Sequence, residues 1–489
     1  MKKITILLLF LYGTIYCQNA DFDYTGIYTD DFSLKLKGKP VSLENLLQKY
    51  IQIPSVSSNE FEAGEFMKSV CKDNGLHISD FGNKNGNYNF AASIFPLTSN
   101  KPNIIFLNHL DVIPESDESE NGAYSGKIMN NKIYGRGAID NKGAAMMQLF
   151  SLVEFLNNMD LKHSKYNVTF LSVSCEETQC SGGVDYVIDN FLEKLNPVVV
   201  IGEGPSELTT LIGGSFKHPV FGISVAHKRA FWLDLELELN TSGHGSITPL
   251  NYANKEMVAS LNKLTRKKNK AIFNDLNTSF LKALAEHKKG FERLILKHPR
   301  LFKPILVPQL RKQPELFALF SNTITLTNIY TNSDTYNKIP SKVGAYLDCR
   351  LLPDTDESIF LEEIKKRLNN DSIKINVTKN MPLTNPSEIR TVYFENLKTA
   401  IIEMYPGSEI LPIMLPNIND LGAFRAKNII AYATIPVYLT SEQLESIHNK
   451  DEHISIESLY KGAEVYYNFL MKMEKEGTLN NKLQLTNSQ

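Results

Sequence analysis

Three runs of the chain are rich in apolar residues and carry no charge until near their ends: "NIIFLNHLD" (103–111), "NVTFLSVSCEE" (167–177) and "PVVVIGEG" (197–204). Continuous runs of this kind predict strands of a parallel sheet covered on both faces. Between the first two, "GAAMMQLFSLVEFLNNM" (143–159) sets Met146, Leu149, Phe150, Val153 and Leu156 at helical spacing. Strand, helix, strand in that order predicts an α/β fold with a mixed, mostly parallel sheet and helices on both faces. After residue 220 the pattern changes. "FWLDLELELN" (231–240) alternates apolar and acidic positions, as a strand with one wet face does. The stretch 255–320 reads as helical and basic, with Pro299, Pro304, Pro308 and Pro314 breaking its later part. Its lysines are read as a solvated face, with membrane contact the less favoured alternative. "TITLTNIYT" (323–331) and "VGAYLDCRLLPD" (343–354) return to strand pattern, and the α/β texture resumes near 390 with a last helix expected near 455–473.

This order predicts one domain inserted into another. The expected boundaries are 18–225 and 389–475 for the outer domain, 226–388 for the insert, and 476–489 as a loose tail. A length of 489 residues suits two cores better than one. The first 17 residues, "MKKITILLLFLYGTIYC", read as a cleaved secretory signal, so the protein is expected to be exported, to periplasm or outside in a bacterial source. Lipid anchoring at Cys17 is disfavoured because the bulky Tyr16 precedes it. No later segment is long and apolar enough to span a bilayer. A net charge of −2, from 52 basic and 54 acidic residues, gives no reason to expect nucleic acid, and a small substrate or peptide fits better. Cys71, Cys175, Cys180 and Cys349 are too few for a disulfide scaffold. A local Cys175–Cys180 bridge and free buried thiols are both open.

Each apolar run ends in groups that could bind a ligand: His109 and Asp111, Glu176 and Glu177, then Glu203. Ligands bind at the carboxyl ends of strands in open α/β sheets, so these groups are expected to converge. His109 and Asp111 share one strand face, where a carboxylate can take one imidazole nitrogen and leave the other for a metal. Asp140 lies in a turn just before a helix, in "GRGAIDNKGAAM" (135–146), where it could cap the helix or bind a ligand. Gly137 and Gly143 in the same stretch permit close backbone approach. Carboxylates with imidazoles suit zinc in a hydrolytic site, and a two-metal site needs a bridging ligand. Such a site would give the adjacent Glu176 and Glu177 separate tasks.

Here the sequence resembles the M20 family of di-zinc metallopeptidases and amidohydrolases. "HLDVIP", "GRGAIDNKGAAM", "CEETQCSGG", "IGEG", "TSGHGSITP", "NKIPSKVGAYLDCRLLPD" and "IHNKDEHIS" follow one another in the family's order, over about residues 50–460. The helical insertion looks most like the branch of carboxypeptidase S and the N-acyl-amino-acid hydrolases. The resemblance implies a di-zinc exopeptidase-like fold whose insert acts as a lid or dimerisation domain. It implies two Zn2+ ions per subunit, with Co2+ or Mn2+ able to substitute. Asp140 would bridge them, His109 and Glu203 would complete one site, and Glu177 and His448 the other. Glu176 would be the general base and Asp111 the orienting carboxylate. His244 would stabilise the oxyanion across a homodimer interface, Arg350 would bind a substrate carboxylate, and Asn337 would be a substrate contact. The implied activity is cleavage of an amide beside a free C-terminal carboxylate, in a small peptide or an N-acyl amino acid. The rival readings are a metal- or peptide-binding protein without catalysis and a metallohydrolase acting on another bond. The sequence departs from the family at Cys175, at Asn419 before Asp420 (Thr-Asp being commoner) and at Ala230 in "HKRAF".

Overall fold

The computed structural model describes residues 33–486 except 83–85, 116–121, 210–218, 242 and 334, with side chains described to residue 476. The expected signal segment, with Cys17, lies outside the described residues. Two compact units emerge. The first comprises the described parts of Met1–Val225, Ser387–Pro412 and Asn419–Gln489; the second comprises Ala226–Pro386 and Ile413–Ile418.

The first unit is built on an eight-stranded sheet. In chain order its strands are β1 (His77–Asp80), β2 (Phe90–Ser93), β3 (Asn103–His109), β4 (Asn167–Val173), β5 (Pro197–Gly202) and β6 (Val220–His227), then, beyond the second unit's strands, β11 (Glu409–Leu415) and β12 (Ala431–Ala433). Their order across the sheet is β11-β6-β12-β5-β3-β4-β2-β1. The central strands β12, β5, β3 and β4 run parallel, while β2 and β1 add on antiparallel. Every residue of β3 and β4 is buried, which is why neither strand carries an ionisable side chain before its end.

Helix α1 (Lys142–Asn158) was expected to bury one stripe, but it is buried at every position from Lys142 to Val153. It contacts β3 on one side and helix α9 (Ile456–Thr486) on the other, so both faces need apolar side chains. Helices α2 (Val184–Leu195) and α8 (Val392–Met404) belong to the same unit, α8 against α9, and α9 runs well beyond the expected end near 473, into the segment read as a loose tail. Nothing between 474 and 486 is a proline, and only Gly477 interrupts ordinary helix formers and neutral residues.

The second unit carries a four-stranded antiparallel sheet of β7 (Arg229–Glu238), β8 (Thr323–Thr331), β9 (Lys342–Leu351) and β10 (Lys374–Asn380), ordered β8-β9-β7-β10. Along β7, Phe231, Leu233, Leu235 and Leu237 enter the core, and Trp232, Asp234 and Glu236 stay half-exposed. Helices α3 (Ala253–Arg266) and α7 (Glu357–Leu368) cover the apolar face. Between α3 and β8 lie α4 (Asp275–Ala285), α5 (Gly290–Lys297) and α6 (Lys303–Leu310). Pro304 sits in the first turn of α6 and Pro314 opens a further short helix at Pro314–Ala318, so these prolines start helices where the sequence suggested breaks.

On α1, a Glu154 carboxylate oxygen is buried without a hydrogen-bond partner. Burial, and then nearby Glu464 of α9, push this carboxyl up to about 7. The folded protein therefore holds a proton here that the unfolded chain releases near pH 4.5, so Glu154 costs stability increasingly as pH rises to 7. Glu154→Gln is expected to raise the melting midpoint by about 1–3 °C at about pH 8 and to change it little at about pH 4.5, as read by scanning calorimetry at both.

Candidate active site

The site forms in the first unit, where the ends of β3, β4 and β5 meet the turn before α1. His109 ends β3. Its Nδ1 lies 2.9 Å from the Asp111 carbonyl oxygen. Its Nε2 faces Asp140 Oδ1 at 3.2 Å and Glu203 Oε2 at 3.0 Å. The other Asp140 oxygen, Oδ2, lies 3.2 Å from His448 Nε2, which is also 3.1 Å from Glu177 Oε1. Asp140 thus presents one oxygen to each histidine. Donor atoms of His109, Asp140 and Glu177 fall within 4.8 Å of one another, as do those of His109, Glu176 and Glu203.

The charges explain what this arrangement needs. A bare imidazole lone pair cannot face two carboxylate oxygens favourably, so each Nε2 requires a proton or a cation between it and its neighbours. Burial alone would push His109 down, but Glu203, Asp111 and Asp140 hold it well above its usual range. Hydrogen bonds to Asp140 and Glu177 bring His448 up to about 10. Burial, and then Glu203, raise Glu176 far above a normal carboxyl. Two imidazoles and several carboxylates, each turned toward one of two neighbouring centres around Asp140, fit hard-to-borderline divalent cations.

The loop carrying Glu176 and Glu177 is held from both sides. Asp111 Oδ1 accepts from the Glu176 amide at 3.0 Å, Asp111 Oδ2 from the Glu177 amide at 3.1 Å, and Ser57 donates to Oδ2 at 2.7 Å. Asp111 was expected to orient His109. Its carbonyl takes the closest contact to that ring, and its carboxylate fixes the paired glutamates. Cys175 and Cys180 are joined by a disulfide across the same loop, while Cys71 and Cys349 are free and buried. Gly183 follows because a Cβ there would meet the Ser174 carbonyl oxygen at 2.0 Å.

Sequence reasoning missed several supports. Buried Glu452 accepts from the backbone amides of Ile139 and Asp140 through Oε1 (2.9 and 3.0 Å), and from the Gly137 amide and the Arg136 guanidinium through Oε2 (3.1 and 3.2 Å). It shapes the turn that presents Asp140. Asn141 donates to Glu203 Oε2 at 2.5 Å. Asn419 donates to the Glu203 carbonyl and, with Asp420, lines a recess of about 10 Å3 shared with His109, Glu176 and Glu203, space for about one water. His244, Asn337 and Arg350 belong to the second unit. There His244 is exposed, with Nδ1 2.7 Å from Ser246 Oγ. The Asn337 carbonyl accepts from the Gly245 amide at 2.7 Å. Arg350 forks onto Asp348 at 2.7 and 3.0 Å.

The profile of peptidase family M20/M25/M40 matches residues 105–472. The chain is 24% identical over 436 residues to the human N-fatty-acyl-amino acid synthase/hydrolase PM20D1, covering 86% of each chain. It is 24% identical over 397 residues to a probable carboxypeptidase S-like protein of Dictyostelium discoideum, covering 80% of this chain and 75% of that one. An M20 family metallo-carboxypeptidase from Sulfolobus solfataricus shares the fold with a TM-score of 0.63 at 20% identity, over 88% of this chain and 98% of its own.

Removing one partner of a buried charged cluster leaves the others unpaired, at a cost of about 3–5 kcal/mol. Glu452→Ala is therefore expected to lower the unfolding midpoint and the bound metal together, measured by denaturant unfolding and by elemental analysis. Wild-type values for both would contradict the support assigned to Glu452.

Proposed function

Because this chain belongs to peptidase family M20/M25/M40 and is a hydrolytic enzyme of carboxypeptidase type, we propose that it is an exported di-zinc hydrolase that cleaves an amide beside a free carboxylate, in N-acyl amino acids or small peptides. The observation that carries this reading is Asp140, with one oxygen toward His109 and the other toward His448, beside the Glu176 carboxyl at its recess. His109, Asp140 and Glu203 would hold one zinc; Asp140, Glu177 and His448 would hold the other. Bound there, the pair supplies Lewis acidity and lowers the pKa of water toward neutrality.

With that positive charge beside it Glu176 is ionised, and it takes a proton from the attacking water as the water oxygen bonds to the carbonyl carbon. It returns that proton to the nitrogen as the C–N bond breaks. Asp111 and the disulfide keep the Glu176 carboxyl and the Glu177 ligand in one rigid loop. His244 stabilises the oxyanion and Arg350 holds the free carboxylate of the substrate. The Arg350 fork is engaged by Asp348, so a substrate carboxylate would compete with that internal partner. An exposed His244 supports a homodimer in which it serves the partner copy. The alignment with PM20D1 across most of both chains supports N-acyl amino acids as substrates.

Glu176→Gln is expected to keep two bound metals while kcat falls by about 10²–10⁴. Near-normal turnover in that variant would remove Glu176 as the base. Arg350→Ala is expected to raise KM at least about tenfold for substrates with a free carboxylate and to leave their methyl esters unaffected. Wild-type protein with two metals and no turnover on any amide would favour a binding protein.

A further inference from the structure

Residues 263–312 hold fourteen Lys and Arg side chains and three Asp or Glu, a net charge of +11 (14 − 3) in a chain whose total is −2. The segment runs from the end of α3 through α4, α5 and α6. Twelve of the fourteen cations are exposed, so the excess faces outward and none of it neutralises a buried acid. Helix α5 and the start of α6 are also apolar on two sides. Ile295, Leu306 and Leu310 enter the lobe's own core, whereas Phe291, Leu294 and Leu301 stand 53%, 45% and 75% exposed, with Ile305 beside them. Phe291 and Phe302 meet edge to face, which joins the outer residues of α5 to the start of α6 as one ridge. A surface helix that answers only to water presents polar residues there.

Beside Leu301 a cavity of about 250 Å3 is lined by Lys282, Lys297, His298, Arg300 and Thr278. Lys297 pairs with Glu286 and Arg300 with Asp275, leaving the cup with more positive than negative groups. A basic cup at the foot of exposed aliphatic side chains matches an anionic phospholipid, with phosphate at the cations and acyl chains around the ridge. A nucleic acid would satisfy the charges but give Leu294, Leu301 and Ile305 nothing to enter.

We propose that this helical lobe of the second unit docks on anionic phospholipid surfaces through the Phe291–Ile305 ridge and the Lys282–Arg300 cup. The inference is independent of the reaction assigned to the first unit.

The test is co-sedimentation of the full-length protein with vesicles. Binding is expected on vesicles of equal parts phosphatidylglycerol and phosphatidylcholine, weaker by at least about tenfold on phosphatidylcholine alone or when NaCl rises from about 0.1 M to about 0.5 M. The Leu294→Ser/Leu301→Ser double variant and Lys282→Glu, both at exposed positions and checked for folding by circular dichroism, are each expected to weaken binding at least about fivefold. No binding to the anionic vesicles would overturn the proposal. So would vesicle binding that neither variant changes, or an RNA oligomer that binds as tightly as the vesicles and is indifferent to the Leu294→Ser/Leu301→Ser change.

Discussion

The structure turns on a crowding of negative charge that its own side chains do not neutralise. Glu176, Glu177, Glu203 and Asp140 gather around His109 in two groups whose donor atoms lie within 4.8 Å of one another, and Asp140 and Glu177 also face His448. At an effective dielectric near 20, two unit charges about 4 Å apart repel by about 4 kcal/mol, and several such pairs would rival the stability of a domain. Among the described residues the ion pairs of Asp140, Glu177 and Glu203 are all to histidine, and both rings are driven toward the protonated form. On the proposed reading, bound cations take the place of those protons. Asp140 is the hinge of this arrangement, because it alone faces both rings.

What surrounds the cluster is understood as the means of keeping it in place. Glu452 spends all of its acceptor capacity on the turn that aims Asp140, and Asp111 ties the backbone of Glu176 and Glu177 while also taking Ser57 and facing His109 Nδ1 at 3.4 Å. The Cys175–Cys180 bond closes that loop covalently. Both carboxylates bind backbone amides, so they fix the path of the chain as well as the side chains it carries. The two glutamates can then point in different directions from adjacent positions, one toward the recess and one toward His448.

Much of this could be read from the sequence, for a physical reason. A buried parallel strand tolerates no charge along its length, so the acids and the histidine at the ends of 103–111, 167–177 and 197–204 stood out against apolar runs. Gly137 and Gly143 marked the turn of Asp140. His448 had no such contrast, lying among polar residues before a helix, and only the family order of motifs pointed to it. Glu452 was invisible because its partners lie more than 300 residues away and three of the four are backbone amides, which leave no trace in side-chain pattern. Asn141 was hidden likewise, and Asn419 stood out only as a departure from the family pattern, since each makes a single hydrogen bond to Glu203. The all-round burial of α1 escaped a one-stripe reading because α9, which covers its second face, comes some 300 residues later in the chain.

On this reading Asp140 is shared between two cations. Anomalous diffraction from crystals of the zinc-loaded protein, recorded on both sides of the zinc absorption edge, tests it most directly. Two peaks are predicted, one between Asp140 and the His109–Glu203 pair and the other between Asp140 and the Glu177–His448 pair. A single peak, or two peaks of which only one touches Asp140, would contradict the account.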